Sequence, residues 1–304
     1  NIYCIKSRSQ MPVSSLFKKI FLFSFFLFSL SQSFAQQVDK KLEQKIKTLI
    51  QGFNGQIGVY VKNLKSDKIV SYNGDTVFPT ASIVKVPILI GIMDRIHKKE
   101  LDYHQKLVWY DTMNYDPGED IVAYLKPQSE IELSKVMMLM MTISDNTGSL
   151  WLQSIAGTGK RINHLLDSMG YHATRVNSRT PGREADRSIF GWGQSTPNEM
   201  GRLMEDIVHG KIISKDKSDQ MLRIMGRQYW DEEALSAIPP TVFVASKNGA
   251  VNASRSEILY VNGRRPYIFS VFTKNNKDIS WGNENEAWQL TRKLSKLLWN
   301  YFNE

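Results

Sequence analysis

Phe78-Pro79-Thr80-Ala81-Ser82-Ile83-Val84-Lys85 is the stretch that decides how this chain is read. It sets a serine three residues ahead of a lysine, at the start of an apolar run from Ser82 to His97 that predicts a buried helix. Pro87 falls in the first turns, where proline disturbs a helix least. If Ser82 opens the helix, Lys85 lies one turn later on the same face, and its amine reaches the hydroxyl. A serine is a poor nucleophile until a neighbouring base takes its proton. A lysine is such a base only when burial or nearby positive charge lowers its pKa. The helix N-terminus also turns backbone N–H groups toward an oxyanion. Alone, Ser-x-x-Lys is a weak signal: it recurs at Ser15–Lys18 in an apolar leader and at Ser214–Lys217 in a charged loop.

Two further patterns follow in order. Ser144-Asp145-Asn146 falls between two helical segments. A loop there can project Ser144 into a cleft, to relay a proton to a leaving group, while Asp145 and Asn146 hold the turn. In isolation the same triplet reads as an ordinary helix cap. Lys247-Asn248-Gly249 ends a strand expected from Val242 to Ser246. The glycine permits close backbone approach to a ligand, and Lys247, if it nears Lys85, supplies the charge that lowers a base's pKa. Arg255, a short way on, has the fork that binds a carboxylate bidentately. In isolation these are a hairpin end with a solvated lysine and a surface arginine. Together the three patterns supply a nucleophile, two amines, a second hydroxyl and an amide.

The remaining patterning places the motifs. Val38 to Ile50 is an amphipathic helix, and Gln56 to Lys62 with Ile69 to Tyr72 is a hairpin about the turn at 63–67. Helices are expected at 131–142, 147–155, 160–169, 197–209 and 218–229. Strands are expected at 242–245, 257–261 and 267–273, and a closing helix at 284–302. The segment from Thr174 to Ser195 shows little periodicity and carries Pro181, Gly182, Gly191 and Gly193. It reads as a long loop, and such loops are usually functional. An α+β fold follows: one antiparallel sheet built from both chain ends (36–75 and 211–304), flanked by helices, with a helical middle (76–210).

Lys18 and Lys19 precede an apolar run from Ile20 to Leu30, and Ser33-Phe34-Ala35 supplies small residues for a peptidase. Residues 1–35 therefore read as a secretory leader cleaved after Ala35, with Met11 a plausible start. The expected location is periplasmic or secreted, with no stable membrane anchor after cleavage. The only cysteine, Cys4, lies in that leader, so residues 36–304 hold no disulfide, thiol nucleophile or Cys-based zinc site. Losing Lys6, Arg8, Lys18 and Lys19 takes the formal charge from +9 to +5. The Lys and Arg are scattered without a basic, aromatic-interleaved stripe, so no nucleic-acid partner is expected. His97, His104, His164, His172 and His209 are dispersed, and neither a metal site nor another cofactor is expected.

With these residues in hand, the chain from about Val38 onward resembles the class A serine β-lactamases and their penicillin-binding relatives. The resemblance rests on 78–85 with its Phe-Pro lead-in, on Met141-Thr142-Ile143-Ser144-Asp145-Asn146-Thr147, and on the intervals between motifs. Ser168-Met169-Gly170 and Thr174-Arg175-Val176 resemble the entry to that family's Ω-loop. The resemblance implies Ser82 as the acylated serine, Lys85 as a base, Ser144 as proton relay and Lys247 as electrostatic anchor. It implies the N–H groups of Ser82 and Ala250 as oxyanion hole, with Asn146, Asn248, Gly249 and Arg255 binding substrate, Arg255 being offset by one residue. Asn248 stands where the family usually has Thr or Ser. Thr180 stands where the family's deacylating glutamate belongs, which leaves Glu184 or Asp186 as candidate bases, or as ion-pair partners of Arg183 and Arg187.

Three readings remain open at this point: a hydrolase of β-lactam amides, a wall-peptide carboxypeptidase relative that deacylates slowly, and a non-catalytic wall-binding module. The implied partner is a small β-lactam or a peptidoglycan stem peptide, met by a monomer.

Overall fold

The computed structural model describes residues 37–110, 118 and 120–303. The expected leader, its cleavage site and the Ser15–Lys18 pair lie outside the described residues. From Gln37 onward the chain forms one compact unit.

Helix α1 (Lys40–Ile50) is capped by the Asp39 carboxylate, which accepts from Leu42 N at 3.1 Å, and it buries Leu42, Ile46 and Ile50 on one face. Strands β1 (Gln56–Asn63) and β2 (Ile69–Tyr72) form the expected hairpin, its turn held by Asn63 Oδ1, which accepts from Lys65 N and Ser66 N. After β3 (Phe78–Pro79) comes a tight 3-10 turn, Ala81–Val84, and then α2 (Lys85–His97). Ser82 thus lies in the 3-10 turn ahead of the helix that the sequence places from Ser82. Strands β4 (Lys106–Val108) and β5 (Glu130–Glu132) pair with each other. Helices α3 (Leu133–Thr142), α4 (Asn146–Ile155) and α5 (Thr158–Ser168) follow.

The expected loop at 174–195 is more ordered than its sequence suggests. It carries β6 (Arg175–Val176), α6 (Glu184–Phe190) and β7 (Gly193–Ser195), and β7 pairs with both β3 and β6. Strands of two or three residues are too short to show a period, and α6 buries none of its residues, so neither leaves a pattern. Helix α7 (Pro197–Val208) starts with Thr196 as cap and proline in its first turn, and α8 (Lys215–Met225) starts at Ser214. Ser214 Oγ accepts from Lys217 N at 3.3 Å, so this Ser-x-x-Lys is a helix cap. Helix α8, expected with the sheet part, adds Met221, Ile224 and Met225 to the core on the helical side.

Strands β8 (Val244–Val251), β9 (Ser254–Val261) and β10 (Tyr267–Lys274) and helix α9 (Glu286–Asn303) close the chain. The five-stranded antiparallel sheet runs β2-β1-β10-β9-β8, with strands from both chain ends. Alternation divides its faces. Ile57, Val59, Val61, Leu259, Val261, Phe269 and Val271 pack with α1 and α9 residues such as Leu42, Leu294 and Leu298. Tyr60, Ile258, Ile268 and Phe272 pack into the larger core with α2, α3 and α7. The motif expected at the end of a strand, Lys247-Asn248-Gly249, lies instead well inside β8, because the β8–β9 pairing continues to Val251↔Ser254. Among the described residues, no helix is long and apolar enough to cross a membrane.

Candidate active site

The turn bearing Ser82 is held from both sides. Thr80 N donates to Gly193 O at 3.0 Å and Ile83 N donates to Thr80 O at 3.0 Å. Ala81, just before the serine, has φ 44. A non-glycine residue there costs on the order of 1–2 kcal/mol, a strain that the surrounding packing must hold. Strand β8 presses against this turn at Gly249: a Cβ on Gly249 would lie 2.7 Å from Ser82 N and 2.7 Å from Thr80 O. The glycine therefore serves close backbone approach, as expected, but toward the nucleophile's own turn.

Lys85 is fully buried, and its amine converges on Ser82 of the first motif and on Ser144 and Asn146 of the second. Nζ lies 2.9 Å from Ser82 Oγ, 2.9 Å from Ser144 Oγ, 2.6 Å from Ser144 O and 2.7 Å from Asn146 Oδ1. The two carbonyl oxygens accept only, so two N–H bonds point to them. The remaining tetrahedral position faces the two hydroxyls. Removal from water lowers the Lys85 pKa to about 7, against the pull of the Asp120 and Asp145 carboxylates, which favour the charged form. A neutral Lys85 can accept the Ser82 proton.

Two buried aspartates fold the second motif around that amine. Asp145 caps α4, accepting from Gly148 N at 2.7 Å with one oxygen and from Val122 N at 2.9 Å with the other. Asp120 accepts from Asn146 N, Thr147 N and Thr147 Oγ1, each at 2.8 Å. Ser144 has φ 65, a left-handed conformation that turns both its hydroxyl and its carbonyl toward Lys85.

Strand β8 is the free edge of the sheet. Arg255, across from Ala250, directs its N–H and C=O to Thr273 Oγ1 on the far side. The Ala250–Arg255 pair therefore exchanges no ladder bonds, and the Ala250 N–H points off the edge, beside Ser82. Lys247 is fully buried, with its pKa driven down by burial and by the nearby Lys85 charge. Its Nζ donates to Asn248 O at 2.9 Å and Asn248 Oδ1 at 3.1 Å, which leaves the Asn248 amide N–H groups as donors. Glu257, opposite Asn248 on β9, is buried too; burial raises its pKa to about 8.

Ser82, Ser144, Asn146, Asn248, Gly249 and Ala250 line one cavity of about 550 Å³. Of the other expected residues, Lys85 and Lys247 are buried behind this wall, and Arg255 and Glu184 do not line it either. The Arg255 guanidinium is buried beneath Trp281, 4.6 Å from its ring; its Nη1 and Nη2 donate to the carbonyls of Asn252, Ser254 and Ser280, and its buried Nε has no partner among the described residues. Its place on a strand buried on both faces leaves those two nitrogens engaged with backbone carbonyls rather than presented to the cavity. Glu184 is exposed at the start of α6, where it accepts from Gly182 N at 3.1 Å, and it is absent from the cavity wall. Asp186 pairs with Arg183 at 3.2 Å. Thr180 is turned inward: Oγ1 donates to Ser178 O at 2.9 Å, and a Cβ on Gly159 would lie 1.8 Å from it. Among the described residues, no carboxylate from 174–195 lines the cavity.

Sequence reasoning missed the far end of the cavity: Trp230, Glu232, Glu233, Trp281 and Trp288, together with Asp120 on the near side. These residues form no short motif, since they meet only through the loop before β8 and the segment leading into α9.

The family model described as "Beta-lactamase enzyme family" matches residues 41–302, and the chain belongs to that family. Among curated relatives it is similar to β-lactamase VEB-1 of Pseudomonas aeruginosa, 24% identical over 86% of this chain and 90% of that protein. Among solved structures it is similar to a β-lactamase from Chitinophaga pinensis, TM-score 0.78 at 21% identity, covering 86% of this chain and all of the other. It is also similar to a PBP-A mutant in acyl-enzyme complex with penicillin G, TM-score 0.76 at 25% identity, covering 88% and 98%. The protein is therefore a family hydrolase of the class A serine type.

Proposed function

We propose that this protein is an exported serine hydrolase that opens β-lactam amides through an acyl-enzyme on Ser82, and that it deacylates slowly. The observation that carries this reading is the convergence of Ser82 Oγ, Ser144 Oγ and two carbonyl acceptors on the buried Lys85 amine. In the reaction, Lys85 takes the Ser82 proton as the oxygen attacks the carbonyl carbon. The N–H groups of Ser82 and Ala250 meet the developing oxyanion. Ser144 passes a proton to the departing amine, and Lys247 with Asn248 orients the substrate. No cofactor enters these steps. Residues 1–35 are the leader, removed after Ala35, and 36–304 are the periplasmic catalytic part, acting as a monomer. The similar PBP-A mutant forms an acyl-enzyme complex with penicillin G, which supports the same chemistry here.

A second reading is favoured by a specific observation. Without a carboxylate from 174–195 at the cavity, hydrolysis of the acyl-enzyme lacks its usual base. A relative that acylates on peptidoglycan stem peptides and is merely trapped by penicillin has the same geometry. Intact mass of the mature chain with penicillin, followed in time, tests the proposal. A Ser82-dependent adduct that decays slowly supports it. No adduct in the parent, or one retained in Ser82→Ala, contradicts it.

A further inference from the structure

Lysines from opposite ends of the described chain meet in one groove. Lys41 and Lys45 of α1 and Lys293 and Lys296 of α9 line an open hollow of about 940 Å³, whose floor includes Leu49 and Leu297. Residues 41, 45 and 49 repeat every fourth position, and 293, 296 and 297 fall three and four apart, so each set occupies one helix face. Another face of each helix packs on the sheet through Leu42, Ile46, Leu294 and Leu298. Leu49 and Leu297 are partly buried against that same core, while all four lysines are exposed.

Among the described residues no carboxylate lines this groove, and none pairs with any of the four lysines. The one acid of α1, Glu43, is taken by Lys47 at 2.7 Å. Four uncompensated positive charges on one surface repel one another, and a dense layer of anions relieves that repulsion. The leucines between them narrow the choice of partner. Lysine stems cover apolar surface while their ammonium groups reach outward, so the groove suits an occupant that is anionic and apolar at once. A lipid surface has both properties; a soluble polyanion meets the lysines and leaves Leu49 and Leu297 unused. Helix α1 opens at Lys40, shortly after Ala35, so export through a membrane releases this face beside that membrane. The groove shares no lining residue with the Ser82 cavity, so a surface seated here leaves the cavity walls untouched.

We propose that the α1–α9 groove docks the mature chain on an anionic lipid bilayer, with Lys41, Lys45, Lys293 and Lys296 on lipid phosphates and Leu49 and Leu297 beneath the apolar part of a lipid. The attachment is peripheral and reversible by salt, unlike an anchor. It is independent of the acyl-enzyme reading, since no residue of the groove takes part in that chemistry.

The test is flotation of residues 36–304 with vesicles of phosphatidylcholine alone and of phosphatidylcholine mixed with phosphatidylglycerol, at low salt and at about 0.5 M salt. One variant carries Lys41→Gln, Lys45→Gln, Lys293→Gln and Lys296→Gln together. A charge-matched control carries Lys65→Gln, Lys126→Gln, Lys135→Gln and Lys160→Gln, all exposed and outside the groove. Thermal melts verify the fold of both. The parent should bind the anionic vesicles at least about tenfold more tightly than the neutral ones, and high salt should release it. The groove variant should lose about fivefold in affinity for each lysine removed, and the control far less. Equal binding of the parent to neutral and anionic vesicles overturns the proposal, as does an equal loss in the control. Heparin bound as tightly as the anionic vesicles through the same four lysines would assign the groove to a soluble polyanion and overturn it as well.

Discussion

Lys85 is the residue on which the chemistry turns. Its pKa of about 7 arises because burial outweighs two carboxylates that favour the charged form. Acylation should therefore rise with pH through about 7 and level off above it, as the fraction of neutral amine rises. A pH profile of adduct formation that stays flat from pH 5 to 9 would contradict this role. Lys85→Arg should slow acylation by about 10² or more, since a guanidinium does not deprotonate; stopped-flow labelling checks it. The residues that sequence alone revealed were those in short motifs. Ser82, Lys85, Ser144 and Asn146 were legible because a helix turn and a cap fix their spacing, and the structure brings them within hydrogen-bond reach of one amine. Arg255 stands one residue from the position that the resemblance implies, and a one-residue offset in a strand turns a side chain to the opposite face, which the motif does not encode.

At the scale of elements, the site is the contact between a strained turn and the open edge of a sheet. Gly249 makes that contact possible. Gly249→Ala should force the turn and β8 apart, destabilising the fold by about 1–3 kcal/mol and slowing acylation beyond that loss. Thermal melts and labelling rates, measured together, check both effects, and an unchanged labelling rate would show that β8 need not approach Ser82 so closely. The segment 174–195 shows how far legibility reaches. Its family-like entry was visible, but β6, α6 and β7 were not, because short or fully exposed elements carry no hydrophobic period. The Thr180 side chain is packed against Gly159 of α5 and points away from the cavity. Thr180→Glu should therefore lower stability without restoring deacylation, a correction to what its alignment alone suggests.

For the whole molecule, the sheet drawn from both chain ends was legible because β1 alternates, the turn at 63–67 is plain, and short strand-like runs recur near the C-terminal end of the chain. The acid and tryptophan end of the cavity was not, because it forms where the loop before β8 meets the chain entering α9. The buried amine also writes itself into global stability. Lys85 has a folded pKa of about 7, below its unfolded value, so the unfolded chain holds more protons above pH 7. Its burial cost is full below about pH 7 and fades as pH rises toward the ordinary lysine range. Lys85→Met should therefore raise the melting temperature over the parent more at pH 7 than at pH 10, read by calorimetry; a gap that widens with pH would refute this.

The central claim is a Ser82 acyl-enzyme whose hydrolysis lacks a carboxylate base. Loss of such a base is worth about 10²–10⁴ in rate. The most direct measurement is time-resolved intact mass of residues 36–304 after a single addition of penicillin, in the parent, Ser82→Ala and Glu184→Gln. The account predicts an adduct that forms in the parent, persists for many minutes, is unchanged in Glu184→Gln and is absent from Ser82→Ala. Rapid turnover in the parent that is lost in Glu184→Gln would contradict it, because it would place Glu184 at the acyl carbonyl.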